Sequence, residues 1–323
     1  MPPSCDDEDR ALLERARAFR DSRGSPDVTA VTVSDLARGD GVDWATAVLY
    51  DYLRARSKNA RLIEAVKGAG PMRNSARATR IVIVPGAFHA QYAHTGADGG
   101  RVRELAAELG WACETVPVPS LGSMRANGES IVRFLQRGTT AAQSTVLVSL
   151  SKGAADVRMA LAHPAAAAAF AGVVGWVSLS GMVHGTPLVA WLRARPLRCL
   201  GVRVLLRLRG QRFAAIDELR HDGGELQAPL NIRPHVRAIH VLGFPLSRHL
   251  SNDWAHRGYR RLSPLGPNDG GGILLSDSLR LPGEVFPVWG VDHYLRPQWD
   301  VRPLLLRILS AAAGMPGAGA GAE

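Results

Sequence analysis

The sequence predicts an α/β fold: a mostly parallel central sheet covered by helices, with a helical lid insertion and an N-terminal helical extension. Three observations carry this. From Arg80 onward, short β-branched apolar runs alternate with helix-forming stretches, the order that a parallel sheet with crossover helices requires. One such run, Thr145-Val146-Leu147-Val148, breaks on Ser149-Leu150-Ser151-Lys152-Gly153 and passes directly into the helix-forming residues 154–161. The 323 residues suffice for one large core and an appendage.

Residues 1–75 read as the extension. The pattern over 8–21 puts Leu12, Leu13, Ala16 and Phe19 on one side of a helix. A second helix over 43–56 does the same with Trp44, Val48, Leu49 and Leu53. Gly39-Asp40-Gly41 makes a turn between them, and 73–79 is a polar bridge. Packing against the main sheet is the expected role, ahead of an independent binding module. The sheet domain is expected over 76–313. It begins with a buried strand over 81–84 that ends in Pro85-Gly86-Ala87-Phe88. A helix over 101–109, a strand over 113–118, a helix over 129–136 and the strand ending at Ser149 follow. The next strand, 173–179, closes with Ser180-Gly181. Residues 182–230 then break the alternation with leucine- and arginine-rich helical sequence, including 188–192 and 202–208, and are expected to cap the carboxyl ends of the strands. Val189, Leu192, Val204, Leu205 and Leu208 in this lid are expected either to face an acyl chain or to pack. Strands over 235–242 and 285–289 and a helix over 301–312 complete the domain. The glycine- and alanine-rich tail, 314–323, is expected to be disordered.

The net charge of +10 raises the question of nucleic acid. The basic residues argue against it: they are spread along the chain, and where they concentrate, at Arg193, Arg195, Arg198, Arg203, Arg207, Arg209 and Arg212, no aromatic stacking residue is interleaved. No apolar run reaches membrane-spanning length. The acidic N-terminus lacks the basic-then-apolar layout of a secretion signal, so a cytoplasmic location is expected. Cys5, Cys113 and Cys199 are too widely spaced for a CxxC or metal cluster and are expected to be reduced. His89 and His94 lack a third ligand at metal-site spacing. The glycines of 96–100 lack a phosphate-cradling pattern. Neither a metal nor a cofactor is expected.

The chemistry centres on Ser151. A serine at a tight strand-to-helix turn, flanked by small residues, exposes its Oγ for attack on a carbonyl. Ser149 stands where the usual pattern has glycine. The serine needs a base to take its proton and a carboxylate to hold that base in the right tautomer. Asn268-Asp269-Gly270 offers the acid in a turn, and Val291-Asp292-His293 puts a histidine just past the last strand. Asp277 and Asp292 are rival acids. The order Ser151, Asp269, His293 is the chain order of that triad in open α/β sheets. For the developing oxyanion the expected donors are the backbone N–H of Lys152 and that of Ala87 or Phe88 in the loop after the first strand, with Ala87 preferred. Ser178, Ser180, His184, His235, His240, His249 and His256 are expected to be structural, and Ser123 and Asn127 to be cap and turn residues.

Over roughly residues 80–312 the chain resembles the α/β-hydrolase superfamily, and the Asn268-Asp269-Gly270 loop and the Asp292-His293 turn are similar to the acid and base stations of bacterial serine esterases and lipases. That resemblance implies Ser151 as nucleophile, Asp269 as acid and His293 as base, the same three residues. It departs at Ser149 and at Lys152, and no calcium-binding layout accompanies it. Hydrolysis of a small-molecule carboxylic ester through an acyl-Ser151 intermediate is the leading expectation. Thioester hydrolysis or acyl transfer on the same fold, and a non-catalytic hydrolase-like binding protein, are the alternatives.

Overall fold

The computed structural model describes residues 6–22, 28–68, 78–92, 95–138, 143–296 and 299–314. Cys5, His94, most of the expected polar bridge and all of the expected tail beyond Gly314 lie outside them. The strands are β1 (Ala78–Val84), β2 (Ala112–Thr115), β3 (Gln143–Leu150), β4 (Val173–Leu179), β5 (Arg237–Phe244) and β6 (Glu284–Trp289), in the sheet order β2-β1-β3-β4-β5-β6. The chain forms two compact units. One comprises Met1–Ala65 and Val241–Val301, the other Val66–His240 and Arg302–Glu323. Among the described residues no helix is long and apolar enough to cross a membrane.

In the second unit, β1 lies between β2 and β3, and β3 pairs with β4, all parallel. Ile81 to Val84 and Val146 to Val148 are fully buried, as strands covered on both faces must be. The register sets Val84 opposite Ser149 and Leu150 opposite Leu179, so the loops leaving β1, β3 and β4 gather at one carboxyl edge. The crossover helices are α5 (Gly100–Leu109), α6 (Met124–Gly138) and α7 (Gly153–Ala162), with the short α8 (Ala166–Ala169) after them. Strand β2 stops at Thr115, sooner than expected. Pro117 and Pro119 lack the N–H that would continue the ladder. The terminal helix α13 (Arg302–Gly314) lies over β4, where only a hydrogen fits: a Cβ on Gly175 would come 2.6 Å from Ala312 O.

Between β4 and β5 stand α9 (Leu188–Arg193), α10 (Pro196–Leu208) and α11 (Ala214–Asp217). Val189, Leu219 and Leu226 pack with Met124 of α6 and Ala155 of α7. Leu206 and Ala215 pack with Leu121, and Ala87, Phe88 and Phe213 lie against them. Only part of the expected apolar set turns inward. Val189 is buried, but Val204, Leu205 and Leu208 are exposed. The reason is helical phase: α10 buries the edge carrying Cys199 and Leu206 and turns those residues outward.

The N-terminal residues form four helices where the sequence suggests two: α1 (Asp7–Ser22), α2 (Ala30–Gly39), α3 (Val42–Ala55) and α4 (Ser57–Gly68), the first three of them in the first unit. Helix α3 buries Trp44, Leu49, Tyr50 and Leu53, and its Tyr50 ring lies 5.6 Å from Phe244 and 5.0 Å from Trp289. Asn59 of α4 donates to Leu53 O at 2.8 Å and accepts from the Val285 amide of β6 at 2.9 Å. Asp9 of α1 is fully buried. It accepts from Trp289 Nε1 at 2.8 Å, lies 3.2 Å from His249 Nε2 and is paired with Arg248. His249 accepts from the Leu246 amide at Nδ1, so its neutral form satisfies both ring nitrogens, and burial holds its pKa below the ordinary value. Helix α12 (Asp253–Leu262) is capped by Asn252, whose side chain accepts from the amides of Trp254 and Ala255.

Candidate active site

Ser151 follows β3 directly and has φ 48°, a left-handed conformation that costs a residue with a Cβ on the order of 1–2 kcal/mol. The surroundings enforce it. The Ser151 amide donates to Leu179 O at 3.0 Å, and its carbonyl accepts from the amides of Ala154 at 3.1 Å and Met182 at 3.0 Å. Two residues on, a Cβ at Gly153 would sit 2.5 Å from Val84 O and 2.7 Å from Pro85 O, so α7 starts hard against the end of β1 and no larger residue fits there. Ser149 has a structural reason for replacing the usual glycine: it is fully buried, and its Oγ accepts from Trp176 Nε1 at 2.9 Å.

Lys152 is almost wholly buried, with Nζ 2.7 and 2.9 Å from the two carboxylate oxygens of Asp156 one turn along α7. Asn127 of α6 donates to Asp156 Oδ2 at 2.9 Å. Burial pushes the Asp156 carboxyl up from its ordinary pKa, against the opposing pull of Lys152 and Asn127. With its side chain turned inward, Lys152 presents the space above Ser151 with a backbone amide at a helix N-terminus. The i,i+4 spacing of Lys152 and Asp156 is a signal the sequence held. The share of Asn127 was hidden, and it is an interior helix residue, not a turn residue.

The loop after β1 lies beside this turn. A Cβ at Gly86 would come 3.1 Å from Leu150 O and 3.4 Å from Ser151 Cβ, and the Gly86 amide is taken by Ala97 O at 2.8 Å. Phe88 has φ 58°, which turns the Ala87-Phe88 peptide away from an extended course. His89 Nδ1 lies 2.9 Å from Gly86 O and 3.2 Å from Ser120 Oγ, tying the loop down.

In the other unit, His293 Nδ1 lies 2.5 Å from Asp269 Oδ2, and the His293 amide donates to Asp269 O at 2.8 Å. Asp269 is fully buried. Its Oδ1 accepts from the amides of Gly271, Gly272 and Ile273 at 2.9, 3.0 and 3.0 Å. Burial by itself would raise the Asp269 pKa, but the His293 charge and these hydrogen bonds outweigh it and hold it below the ordinary carboxylate value. Burial would likewise lower that of His293, and Asp269, aided by Asp292, holds it above 6.5. The glycine run is required by the ring: a Cβ at Gly271 would sit 2.0 Å from His293 Cγ. Asn268 supports the turn by accepting from the Gly270 amide and donating to Gly266 O. With Nδ1 engaged, Nε2 is the nitrogen that can exchange a proton with a substrate or nucleophile.

The rival acids are placed otherwise. Asp292 accepts from the amides of Ser251 at 2.7 Å and Tyr294 at 3.0 Å, which secures the turn, and Asp277 pairs with Arg280 at 2.6 Å. Ser180 shares a positive φ, 45°, but no helix starts beneath it. His235 contacts Phe170 O at 3.0 Å, His184 and His240 are buried, and Ser123 caps α6 through the Ala126 amide.

No family model matches the chain, and no curated protein does. Solved structures do. A metagenomic carboxyl esterase is similar with a TM-score of 0.55 at 20% identity, over 75% of this chain and 77% of that one. A Bacillus licheniformis lipase in mature form gives 0.54 at 19% identity, over 75% of this chain and 95% of that one. Its propeptide form gives 0.56 at 18% identity, over 78% of this chain and 54% of that one. The parallel sheet, its crossover helices and these likenesses agree: the chain has the α/β-hydrolase fold, and it resembles esterases and lipases that share it.

Proposed function

We propose that the chain is a serine hydrolase of carboxylic esters. The observation that carries this is the serine forced to a positive φ at a strand-to-helix turn, with Gly153 wedged against the β1 carbonyls. The buried Asp269–His293 pair supports it, as do the esterase and lipase names of the similar structures. In this mechanism Ser151 Oγ attacks the ester carbonyl carbon while His293 Nε2 takes the serine proton. The carbonyl π electrons move to oxygen, and the amides of Lys152 and Ala87, with Phe88 the alternative to Ala87, stabilise that charge. The tetrahedral carbon then expels the alcohol, which leaves with the proton from His293. Water, deprotonated by His293, attacks the acyl-Ser151 ester, and collapse releases the acid and restores the serine. Asp269 holds the Nδ1–H tautomer throughout.

A fluorophosphonate probe tests the assignment. The expected result is one covalent label, mapped by peptide mass to Ser151, in protein that also turns over p-nitrophenyl esters. A label on Ser149 or Ser180, or no label and no turnover, overturns it.

The pH profile follows from the pair. Neutral imidazole is the working base, and Asp269 favours imidazolium, so kcat/KM rises with pH about a midpoint above the ordinary ~6.5. The same shifts fix the stability the pair contributes. The Asp269 share is present above its unfolded pKa and lost as pH falls through its lowered folded value, whereas the His293 share is present below its unfolded pKa and lost as pH rises through its raised folded value. A rate profile with its midpoint below ~6, with chemistry rate-limiting, removes His293 from the role.

A further inference from the structure

The outer face of α10 has a composition that ester chemistry does not call for. Leu197 is 85% exposed and Leu208 80%, with Leu200 and Val204 also mostly in solvent. At about 100° per residue these four, together with the half-exposed Leu205, fall within a sector of roughly 140°. Cys199 and Leu206, the residues α10 buries, point the opposite way. Arg198 and Arg209 fall along one border of the apolar sector and Arg203 and Arg207 along the other. Residues 188–216 hold seven arginines and no aspartate or glutamate, so no acidic side chain of the segment neutralises this face. The nearest carboxylate in sequence, Asp217, is paired with Arg193 at 3.3 Å. Arg195 and Arg198 stack over the Trp191 ring, with the Arg195 guanidinium 4.1 Å from its centroid.

We propose that this face docks the protein on an anionic phospholipid surface. An apolar sector flanked on both sides by cations is the arrangement of a helix that lies in the plane of a membrane interface, with leucines below the headgroups and guanidinium groups at their level. A leucine stripe alone would fit a second copy of the chain equally well. The unneutralised arginines make that pairing repulsive and favour a negatively charged surface. The orientation is also productive for binding, because the helix is held from behind by Leu206 among Leu121, Ala215 and Phe213 and presents its leucines without unfolding anything. The proposal stands independently of the ester-hydrolase assignment.

Vesicle co-sedimentation of the full chain tests it, using phosphatidylcholine alone and phosphatidylcholine with one-third phosphatidylglycerol. The expected result is binding to the anionic vesicles at least about tenfold tighter than to the neutral ones. The pair Leu200→Asp with Leu208→Asp, and separately the triple Arg198→Gln, Arg203→Gln, Arg207→Gln, each weaken it by about tenfold or more. Leu200→Ser with Leu208→Ser, checked for an unchanged thermal midpoint, does the same and guards against misfolding. Absence of binding to anionic vesicles overturns the proposal, as does equal binding to both compositions. Native-like binding by the leucine variants reduces the face to a simple polyanion site and also overturns it. A native dimer in light scattering that the leucine variants dissociate would give the face to a second copy.

Discussion

Changing Ser151 to alanine is expected to lower ester turnover by on the order of 10⁶-fold and to abolish fluorophosphonate labelling, with the thermal midpoint little changed. The separation of the two effects follows from how the residue is held. Every hydrogen bond that fixes its backbone, to Leu179, Ala154 and Met182, is made by main-chain atoms that alanine retains. The cost of φ 48° is already present for any residue with a Cβ. Ser149→Ala has the inverse profile. It leaves Trp176 Nε1 buried without its acceptor, costing about 1–3 kcal/mol of stability, while activity stays close to native. Steady-state kinetics with calorimetry on both variants checks the pair. Turnover by Ser151→Ala within about tenfold of native removes the serine from the mechanism.

Replacing Asp269 by asparagine is expected to cost on the order of 10⁴-fold in kcat, by the magnitude known for the corresponding change in a serine protease. The geometry says why. Three amides converge on Oδ1, so the asparagine carbonyl oxygen is held there and its NH2 turns toward His293 Nδ1. Two donors cannot face each other, so the imidazole proton moves to Nε2, the atom that must accept from serine. Asp292→Asn and Asp277→Asn are expected to cost far less, since one carboxylate secures a turn and the other pairs with Arg280. Parallel kinetics on the three variants decides the assignment, and a larger loss at Asp277 or Asp292 transfers the role.

The sheet was legible because β1, β3, β4, β5 and β6 carry short apolar runs, and all of these but β3 end at a nearby glycine or proline, whereas the edge strand β2, Ala112-Cys113-Glu114-Thr115, has no such run. The helices were less so. Residues 30–39 begin Ala30-Val31-Thr32-Val33, a β-branched stretch, and the helix there depends on the Thr29 cap and on the burial of Val33, which composition does not report. Helix α12 is polar with several arginines, and only Ala255, Gly258, Tyr259 and Leu262 reveal its buried side. Of the candidate site residues, Ser151, Asp269 and His293 are the ones that turn chemistry and chain order single out in the sequence. Gly271 did not, because its constraint comes from a histidine ring that reaches it only in the folded chain. Asn127 did not either, because its partner Asp156 is 29 residues away. Over residues 182–230 hydrophobicity does not report inwardness, because the phase of α10 turns Val204 and Leu208 outward.

The setting of Asp9 bears on the order of events at the ribosome. Its partners Arg248, His249 and Trp289 are among the late residues of the chain, and the first unit is completed only when 241–301 joins 1–65. The intervening residues 66–240 take roughly 10–35 s to synthesise at ~5–20 residues per second. Through that interval α1 emerges with a carboxylate whose buried partners do not yet exist, so it waits hydrated while the β1–β4 unit is free to form. Helices α1 to α3 are thus made before the β1–β4 unit and locked after it, and a nascent chain released before Trp289 leaves them without their anchor.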